Sequence, residues 1–266
     1  AGFVKRFESV GVTASQFCTA YGLAEATLPV SLSSVEHGPP PVYRLSQIEL
    51  EDKRVVLDDA SDVCVFVSCG PTTGKTELVI VDPESLKRLP AGEIGEMWVA
   101  GPVVTKGYWK RSEETKEVFG ARIAGEGSKE WLRTGDLGFV QDGNVVITGR
   151  CKDLLIIRGR NIYPQDVELI AEKAHPAVRP GSVAAFALEF DGEERAGLVA
   201  EVESKKLDVT FDELIALICA QITETFGIQL CDVASIGPRK IFKTSSGKIQ
   251  RRRTKSALLA GEFDTI

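Results

Sequence analysis

The organisation of this chain follows from one stretch, Trp131–Pro164, with the sequence WLRTGDLGFVQDGNVVITGRCKDLLIIRGRNIYP. Within it, Val145–Thr148 and Leu154–Ile157 are short apolar runs of the length and branching typical of β-strands. The segment Thr134–Asp136 is predicted to be a turn before the first run. A polar link of small and charged residues, Gly149–Asp153, separates the two runs. Such a link either turns a hairpin or joins two domains.

Length and composition predict a globular, cytoplasmic protein. The 266 residues suffice for one large or two modest domains, and a hydrophobic content of 43% is ordinary for a globular chain. The net charge of −6 argues against nucleic-acid binding, and no apolar run approaches the roughly 20 residues of a membrane-spanning helix. The six cysteines have no CxxC or zinc-site spacing, and the first residues lack a signal-peptide pattern, so we expect reduced thiols in the cytoplasm.

The part of the chain before the link is predicted to be rich in β-strands. A strand is possible through Phe17 and Cys18, and the Pro-rich residues 30–60 are predicted to be a surface loop. Gly70–Thr76 looks like a nucleotide phosphate loop, but too few residues separate its first glycine from its Gly-Lys pair. It is therefore predicted to be a hairpin turn. Further strand-like runs are Val63–Ser68, Leu78–Val81 and Met97–Ala100.

The part after the link is predicted to be an α+β domain. Pro164 suits the first position of a helix, and Asp191–Glu193 is a hairpin signal between two strand-like runs. Thr210 and Glu213 form a capping box for a helix whose inward face is predicted to include Leu217. Two elements close this domain, a strand near Val233–Ile236 and a basic helix, Arg251–Leu259.

Four charged segments are candidates for chemistry, and each also has a purely structural interpretation. Glu25, an acid among small apolar residues, either needs a cation partner or lies at a helix start near positive backbone N–H groups. Asp136 is either a turn acid or an acceptor for two ribose hydroxyls. Lys248, in Thr-Ser-Ser-Gly-Lys, either stabilises charge on a carboxylate attacking a phosphate or belongs to a solvated basic face. Arg158–Asn161 is either a hairpin tip or a polar grip.

Five motifs occur in an order that resembles the adenylate-forming superfamily of acyl and aryl ligases. The resemblance covers essentially the whole chain. The forms LAEAT, IIRGRNIYPQD and KTSSGKIQRR are most similar to fatty-acyl-AMP ligases, which feed acyl carrier proteins or polyketide synthases. The motifs, in chain order, are YGLAEAT, GEIGEMWVAGPVVTKGYW, WLRTGDLG, GRCKDLLIIRGRNIYPQDVE and KTSSGKIQR.

The resemblance implies a nucleotide site for ATP and Mg²⁺ formed by five residues. Tyr21 would stack on adenine, and Gly22 would line the edge of the base. Glu25 would bind the magnesium ion that accompanies the ATP phosphates. Asp136 and Arg150 would hold the ribose hydroxyls. These roles come from the match between motifs, residue by residue.

The resemblance also implies a reaction and a moving domain. Lys248 would bridge the substrate carboxylate and the α-phosphate while a fatty acid attacks ATP, which gives acyl-AMP and pyrophosphate. The acyl group would then pass to a phosphopantetheine thiol. Lys152, two residues after Arg150, would be the hinge between the half-reactions, with Asp153 as the second candidate.

These inferences together predict an α+β fold in two parts. Residues 1–151 would be the β-rich C-terminal portion of a large adenylation domain, and residues 152–266 a small mobile C-terminal domain. The family's phosphate-gripping loop and acyl pocket would lie upstream, so we expect these residues alone to be inactive. Two alternatives are a fatty-acyl-CoA ligase and a non-catalytic adenylate-binding or interaction module. The intact Glu25, Asp136, Arg150 and Lys248 count against the second alternative.

Overall fold

A computed structural model describes residues 2–58, 63–190 and 193–263 of the chain. The fold is mixed α+β, as the sequence predicts. The chain folds into two compact units, Ala1–Lys152 (unit 1) and Asp153–Ile266 (unit 2). None of the described helices combines the length and the hydrophobicity that crossing a bilayer requires.

In the described part of unit 1, the strands form three antiparallel sheets. Strands β1 and β2 pair with each other, β3 pairs with β4, and the largest sheet has the order β5-β6-β7-β8. The elements are α1 Gly2–Phe7, β1 Ala20–Leu23, β2 Leu28–Leu32, β3 Val42–Ser46, α2 Gln47–Glu51, β4 Val63–Val67, β5 Glu77–Val81, β6 Gly95–Ala100, α3 Ser112–Phe119, β7 Leu132–Gln141 and β8 Asn144–Arg150.

Strand β6 is the centre of unit 1, because it is buried along its whole length. Alternate residues of a strand point to opposite faces of the sheet. Met97 and Val99 accordingly pack with Tyr21 in one apolar cluster. Trp98 packs with Trp131 in a second cluster on the other face. The sheet is therefore covered by apolar side chains on both sides.

Three local expectations for unit 1 are wrong. The strand predicted at Phe17 and Cys18 begins instead at Ala20. Residues 30–60 contain β2, β3 and α2 in place of one long loop. Strand β3 follows the prolines and pairs with β4, and this pairing places Leu45 in a fully buried position. Gly70–Thr76 does not turn a hairpin, since β4 pairs with β3 and β5 pairs with β6. It connects two sheets.

Unit 2 is one three-stranded sheet with helices, preceded by a small hairpin. The sheet order is β11-β12-β13, in which β12 pairs antiparallel with β11 and parallel with β13. Helices α4 and α5 share the main apolar cluster with this sheet. The elements are β9 Leu155–Ile157, β10 Arg160–Ile162, α4 Pro164–Ala174, β11 Val178–Phe190, β12 Glu193–Val202, α5 Phe211–Phe226, β13 Leu230–Ile236 and α6 Arg251–Leu259.

Short-range signals in unit 2 are confirmed. Arg158 and Gly159 turn the β9–β10 hairpin with φ values of 53° and 79°, the positive angles that a two-residue hairpin turn requires. Thr210 and Glu213 form the predicted capping box at the start of α5. Strands β11 and β12 pair antiparallel on either side of the hairpin signal at Asp191–Glu193, whose residues 191 and 192 lie outside the described part of the chain.

The inward face of α5 is narrower than its sequence suggests. Leu214, Ile218 and Ile222 are fully buried. Leu217 was predicted to point inward, but 40% of its surface is exposed. Leu217 is next to Ile218 in the sequence, and in a helix of 3.6 residues per turn consecutive side chains point in directions about 100° apart. The side chain of Leu217 therefore points away from the buried face.

We predict that Ile218→Ala destabilises unit 2 far more than Leu217→Ala. Truncating a buried Ile typically costs about 2–5 kcal/mol, because the lost contacts leave a cavity. The same truncation at the exposed Leu217 should cost less than about 1 kcal/mol. Urea unfolding midpoints of the two variants test the assignment of the α5 faces. Equal midpoints would show that the assignment is mistaken.

Candidate functional site

The carboxylate of Asp136 is the point at which three of the candidate residues meet. Asp136 lies within β7, not on the predicted turn, and it pairs in register with Arg150 at the end of β8. Arg150 Nε donates to Asp136 Oδ1 at 2.7 Å, and the Tyr21 hydroxyl donates to Asp136 Oδ2 at 2.7 Å. Each carboxylate oxygen therefore has one donor from the protein.

Tyr21 is a buried hydrogen-bond donor. Only 8% of its surface is exposed. Burial, followed by the negative charge of Asp136, raises the pKa of the Tyr21 hydroxyl well above its usual range. The hydroxyl therefore stays protonated at neutral pH and holds the Asp136 carboxylate in one orientation.

The Asp136 carboxylate keeps the capacity to accept further hydrogen bonds. An ionised carboxylate offers about four acceptor positions on its two oxygens. Its side chain is 15% exposed and that of Arg150 is 62% exposed, so both can be approached from solvent. An acceptor beside a guanidinium is an arrangement that can bind a pair of neighbouring hydroxyl groups.

An ion pair between Glu96 and Arg133 holds the main chain next to Asp136, and the sequence analysis did not identify it. Glu96 on β6 is 2% exposed, and Arg133 donates to its Oε2 through Nε at 3.0 Å and through Nη2 at 2.7 Å. The backbone N–H of Gly135 donates to Glu96 Oε1 at 3.1 Å. Thr134 Oγ1 in turn accepts from the backbone N–H of Asp136 at 3.1 Å. The presence of a carboxylate in the otherwise apolar strand GEMWVA was the signal that could have revealed this pair.

The Cys151 thiol beside this ion pair has a raised pKa. Burial raises the pKa of Cys151 to about 12, with a further contribution from the negative charge of Glu96. A thiol must lose its proton to act as a nucleophile. The backbone N–H of Cys151 donates to the carbonyl oxygen of Gly135 at 2.9 Å.

Gly22 is required by the packing of its own hairpin. A Cβ atom at this position would collide with the carbonyl oxygen of Leu28 on the neighbouring strand. The β1–β2 register shifts between Tyr21 and Gly22, where the two backbones come close together. The absence of a side chain at Gly22 is therefore needed by the neighbouring strand of the same chain.

Glu25 lies in a three-residue 3-10 helix, Ala24–Ala26, and is half-buried. Its Oε1 accepts a hydrogen bond of 2.7 Å from the hydroxyl of Tyr108, a residue that the sequence analysis did not single out. Burial, the hydrogen bond to Glu25 and the charge of Glu25 raise the pKa of Tyr108 to about 12, so this hydroxyl remains a donor.

The surroundings of Glu25 fit a magnesium ion shared with a substrate and do not fit a metal held by protein alone. Among the described residues, no group of three or more His, Cys, Asp or Glu side chains is placed to hold a metal ion. Mg²⁺ is commonly bound through one or two carboxylates together with substrate phosphates and water. One oriented carboxylate is sufficient for that type of site.

Lys248 and Lys152 lie apart from this constellation in the chain. Lys248 is exposed at the end of a tight loop in unit 2, where its backbone N–H donates to Thr244 Oγ1 at 3.0 Å. Gly247 supports the loop with φ +85°, which is easily reached only by glycine. Lys152 is the last residue of unit 1. The polar link around it does not turn a hairpin, because β8 pairs with β7 and β9 pairs with β10.

Comparison with known proteins identifies the class. Residues 1–109 match the family described as AMP-binding enzyme. The chain is 43% identical, over 98% of its length and 45% of the relative, to the medium-chain-fatty-acid–[acyl-carrier-protein] ligase JamA of Moorena producens. It is 35% identical, over 99% of its length and 46% of the relative, to the putative fatty-acid–CoA ligase fadD25 of Mycobacterium tuberculosis.

A solved structure agrees with these matches. The chain superposes with a TM-score of 0.80 and 31% identity on a structure from a study of fatty acyl-adenylate ligases from E. coli and L. pneumophila, covering 98% of this chain and 44% of the other. Residues 1–109 carry the family match, and the similarity to the named fatty-acid ligases extends over nearly the whole chain. It spans a little under half the length of the curated relatives it matches.

We predict that removing the Tyr21 hydroxyl costs more stability than removing another buried tyrosine hydroxyl in unit 1. Tyr21→Phe deletes a hydrogen bond to a carboxylate, and bonds to charged groups are worth about 1.5–3 kcal/mol. Tyr43→Phe is the matched control, because its hydroxyl donates to the neutral carbonyl oxygen of Gln141 at 3.2 Å. Neutral hydrogen bonds contribute about 0.5–1.5 kcal/mol. A smaller loss for Tyr21→Phe than for the control, in urea unfolding, would contradict the strength assigned to the Tyr21–Asp136 bond.

Proposed function

We propose that the protein containing this chain activates a fatty acid with ATP to form an acyl-adenylate and pyrophosphate, and then transfers the acyl group to a carrier protein or polyketide synthase. The single observation that carries this proposal is the Asp136 carboxylate oriented by Tyr21 and Arg150, in a chain 43% identical to a fatty-acid–[acyl-carrier-protein] ligase. The acyl acceptor would be the thiol of a phosphopantetheine group.

The nucleotide would bind to unit 1. Asp136 would accept the two ribose hydroxyls on the acceptor positions that its protein donors leave available, with Arg150 beside it. Tyr21 is almost fully buried, so it would contact adenine through a small exposed part of its ring while its hydroxyl orients Asp136. Gly22, which is exposed and has no side chain, would line the edge of the base.

Glu25 would hold the Mg²⁺ ion together with the ATP phosphates. The hydroxyl of Tyr108 supports this role, because it fixes one oxygen of the Glu25 carboxylate. A bound Mg²⁺ neutralises negative charge on the phosphates. The chain's own contribution is to place one carboxylate, already oriented, at the end of the β1 segment that also carries Tyr21 and Gly22.

Lys248 would act on the reacting groups. In-line attack of a fatty-acid carboxylate on the α-phosphate brings two negatively charged groups together, and catalysis depends mainly on positioning and charge neutralisation. A lysine ammonium is a compact cation on a flexible stem. Its exposed position at the end of a tight, glycine-containing loop suits a group that reaches a substrate.

The two units would correspond to the two parts of an adenylation enzyme. We propose that residues 1–151 are the C-terminal portion of its large domain and that residues 152–266 are its small mobile domain. The boundary between Lys152 and Asp153 supports a hinge at this point. Rotation here would allow unit 2 to serve adenylation and acyl transfer in turn.

A fatty-acyl-CoA ligase is the second candidate function. It is favoured by the likeness to the putative fatty-acid–CoA ligase fadD25, at 35% identity. The two candidates share adenylate formation and differ only in the thiol acceptor. Thioester formation with CoA and with a phosphopantetheinylated carrier protein, compared in the full-length protein, distinguishes them.

We predict that Lys248→Ala in the full-length protein blocks acyl-adenylate formation without unfolding the protein. Loss of one preorganised charge at a reacting centre typically lowers the rate by about 10²–10³-fold. Fatty-acid-dependent ATP–pyrophosphate exchange measures the rate, with Lys205→Ala as a control for an exposed lysine of the same unit. A normal rate in Lys248→Ala would refute the assignment. ATP binding without any exchange in the parent protein would favour a non-catalytic module.

We also predict that Lys152→Pro impairs acyl transfer more than adenylate formation. Proline fixes φ and restricts the preceding residue, so it hinders rotation about this point. Lys152→Ala is the matched control, because it removes the same side chain and leaves the backbone free to rotate. The two half-reactions are measured separately, as pyrophosphate exchange and as thioester formation. Equal losses in both half-reactions would argue against a hinge at residue 152.

A further inference from the structure

The Lys248 loop is exposed, yet both of its ends are attached to buried carboxylates. Thr244–Lys248 lies on the surface of unit 2. Before the loop, the backbone N–H of Ile241 donates to Glu201 Oε1 at 2.8 Å, and Glu201 is 1% exposed. After the loop, Arg251 follows Lys248 by three residues and begins α6. The position of the loop is therefore determined by contacts outside it.

Arg251 is bound in two places to a single buried glutamate. Its Nε donates to Glu168 Oε1 at 2.6 Å, and its Nη2 donates to Glu168 Oε2 at 2.8 Å. Glu168 lies on α4 and also accepts from the backbone N–H of Ala185 on β11 at 3.0 Å. Burial raises the pKa of Glu168, and the hydrogen bonds and charge of Arg251 oppose that rise. This two-point attachment fixes both the position and the plane of the guanidinium.

The third contact of Arg251 reaches the residue that begins unit 2. Its Nη1 lies 3.4 Å from Oδ2 of Asp153, the first residue after Lys152. Arg251 and Asp153 are both about four-fifths buried, so solvent screens this contact less than it would a surface pair. One guanidinium thus joins the end of the Lys248 loop, helix α4 and the segment that follows the proposed hinge.

We propose that Arg251 is a positioning residue for Lys248, which it holds in place through Glu168 and couples to the start of unit 2 through Asp153. The inference rests on the proposed role of Lys248. A reacting group displaced by about 1 Å can lose about 10²-fold in rate. An exposed loop of small residues cannot achieve that accuracy by itself. The network makes the loop and the segment after the hinge parts of one rigid body within unit 2.

The test compares the same substitution at neighbouring positions of the full-length protein. Arg251→Lys keeps the charge but cannot reproduce the two parallel hydrogen bonds to Glu168. Arg252→Lys is the control, because Arg252 is exposed one residue further along α6. We expect Arg251→Lys to lower the rate of ATP–pyrophosphate exchange by about 10- to 100-fold, and Arg252→Lys to leave it unchanged. Asp153→Asn should also lower the rate of ATP–pyrophosphate exchange, by a smaller factor than Arg251→Lys.

A second arm separates positioning from a merely structural role. In a protein that already carries Lys248→Ala, Arg251→Lys should lower the exchange rate no further, because it acts through Lys248. A loss that multiplies with that of Lys248→Ala would overturn the proposal, as would equal rates for Arg251→Lys and Arg252→Lys. If Arg251→Lys proves unfolded by its thermal transition, the same double-variant comparison with Asp153→Asn decides in its place. A normal rate in Lys248→Ala alone would instead refute the proposed function.

Discussion

A carboxylate buried away from water must be matched by a cation and by hydrogen-bond donors, because an isolated buried charge costs several kcal/mol. This constraint recurs at three buried glutamates, and at each the donors include an arginine side chain and a backbone N–H. Because the glutamate accepts hydrogen bonds from both the arginine and the backbone N–H, it fixes a piece of main chain relative to the core. The sets are Glu96 with Arg133 and Gly135, Glu168 with Arg251 and Ala185, and Glu201 with Arg179 and Ile241.

Each of these glutamates holds the main chain next to a residue with a proposed role in binding or catalysis. Glu96 fixes Gly135, and the next residue is Asp136, whose carboxylate stands between Tyr21 and Arg150. The other two bind residues on either side of the Lys248 loop in unit 2, Glu201 through Ile241 and Glu168 through Arg251. Preorganised charges and dipoles stabilise developing charge without having to move during the reaction. Such catalysis requires a buried, hydrogen-bonded group that holds the main chain in place and a solvent-accessible group next to it that can contact the substrate.

The candidate residues are divided between the two units in a way that suits a reaction in two steps. The acceptor and donor groups suited to a nucleotide all belong to unit 1, whereas the lysine suited to the reacting carboxylate belongs to unit 2. Nucleotide binding and charge neutralisation can then be engaged independently. This separation would give a physical reason for the proposed catalytic lysine to lie beyond a polar link, where rotation of a few backbone angles would change which groups face the substrate.

The sequence by itself determined the mixed α+β class, the order of the family motifs and the features that depend on near neighbours, such as the capping box of Thr210 and Glu213. These are readable because the interacting residues lie within a turn of each other. Only the tertiary structure decided that Tyr21 donates to Asp136, 115 residues away, and that Tyr108 donates to Glu25, 83 residues away. Local pattern carries no information about partners at such separations, since the pairing of distant strands brings them together. For the same reason the strands within residues 30–60 were mistaken for a loop, and the buried glutamates were found only in the folded chain.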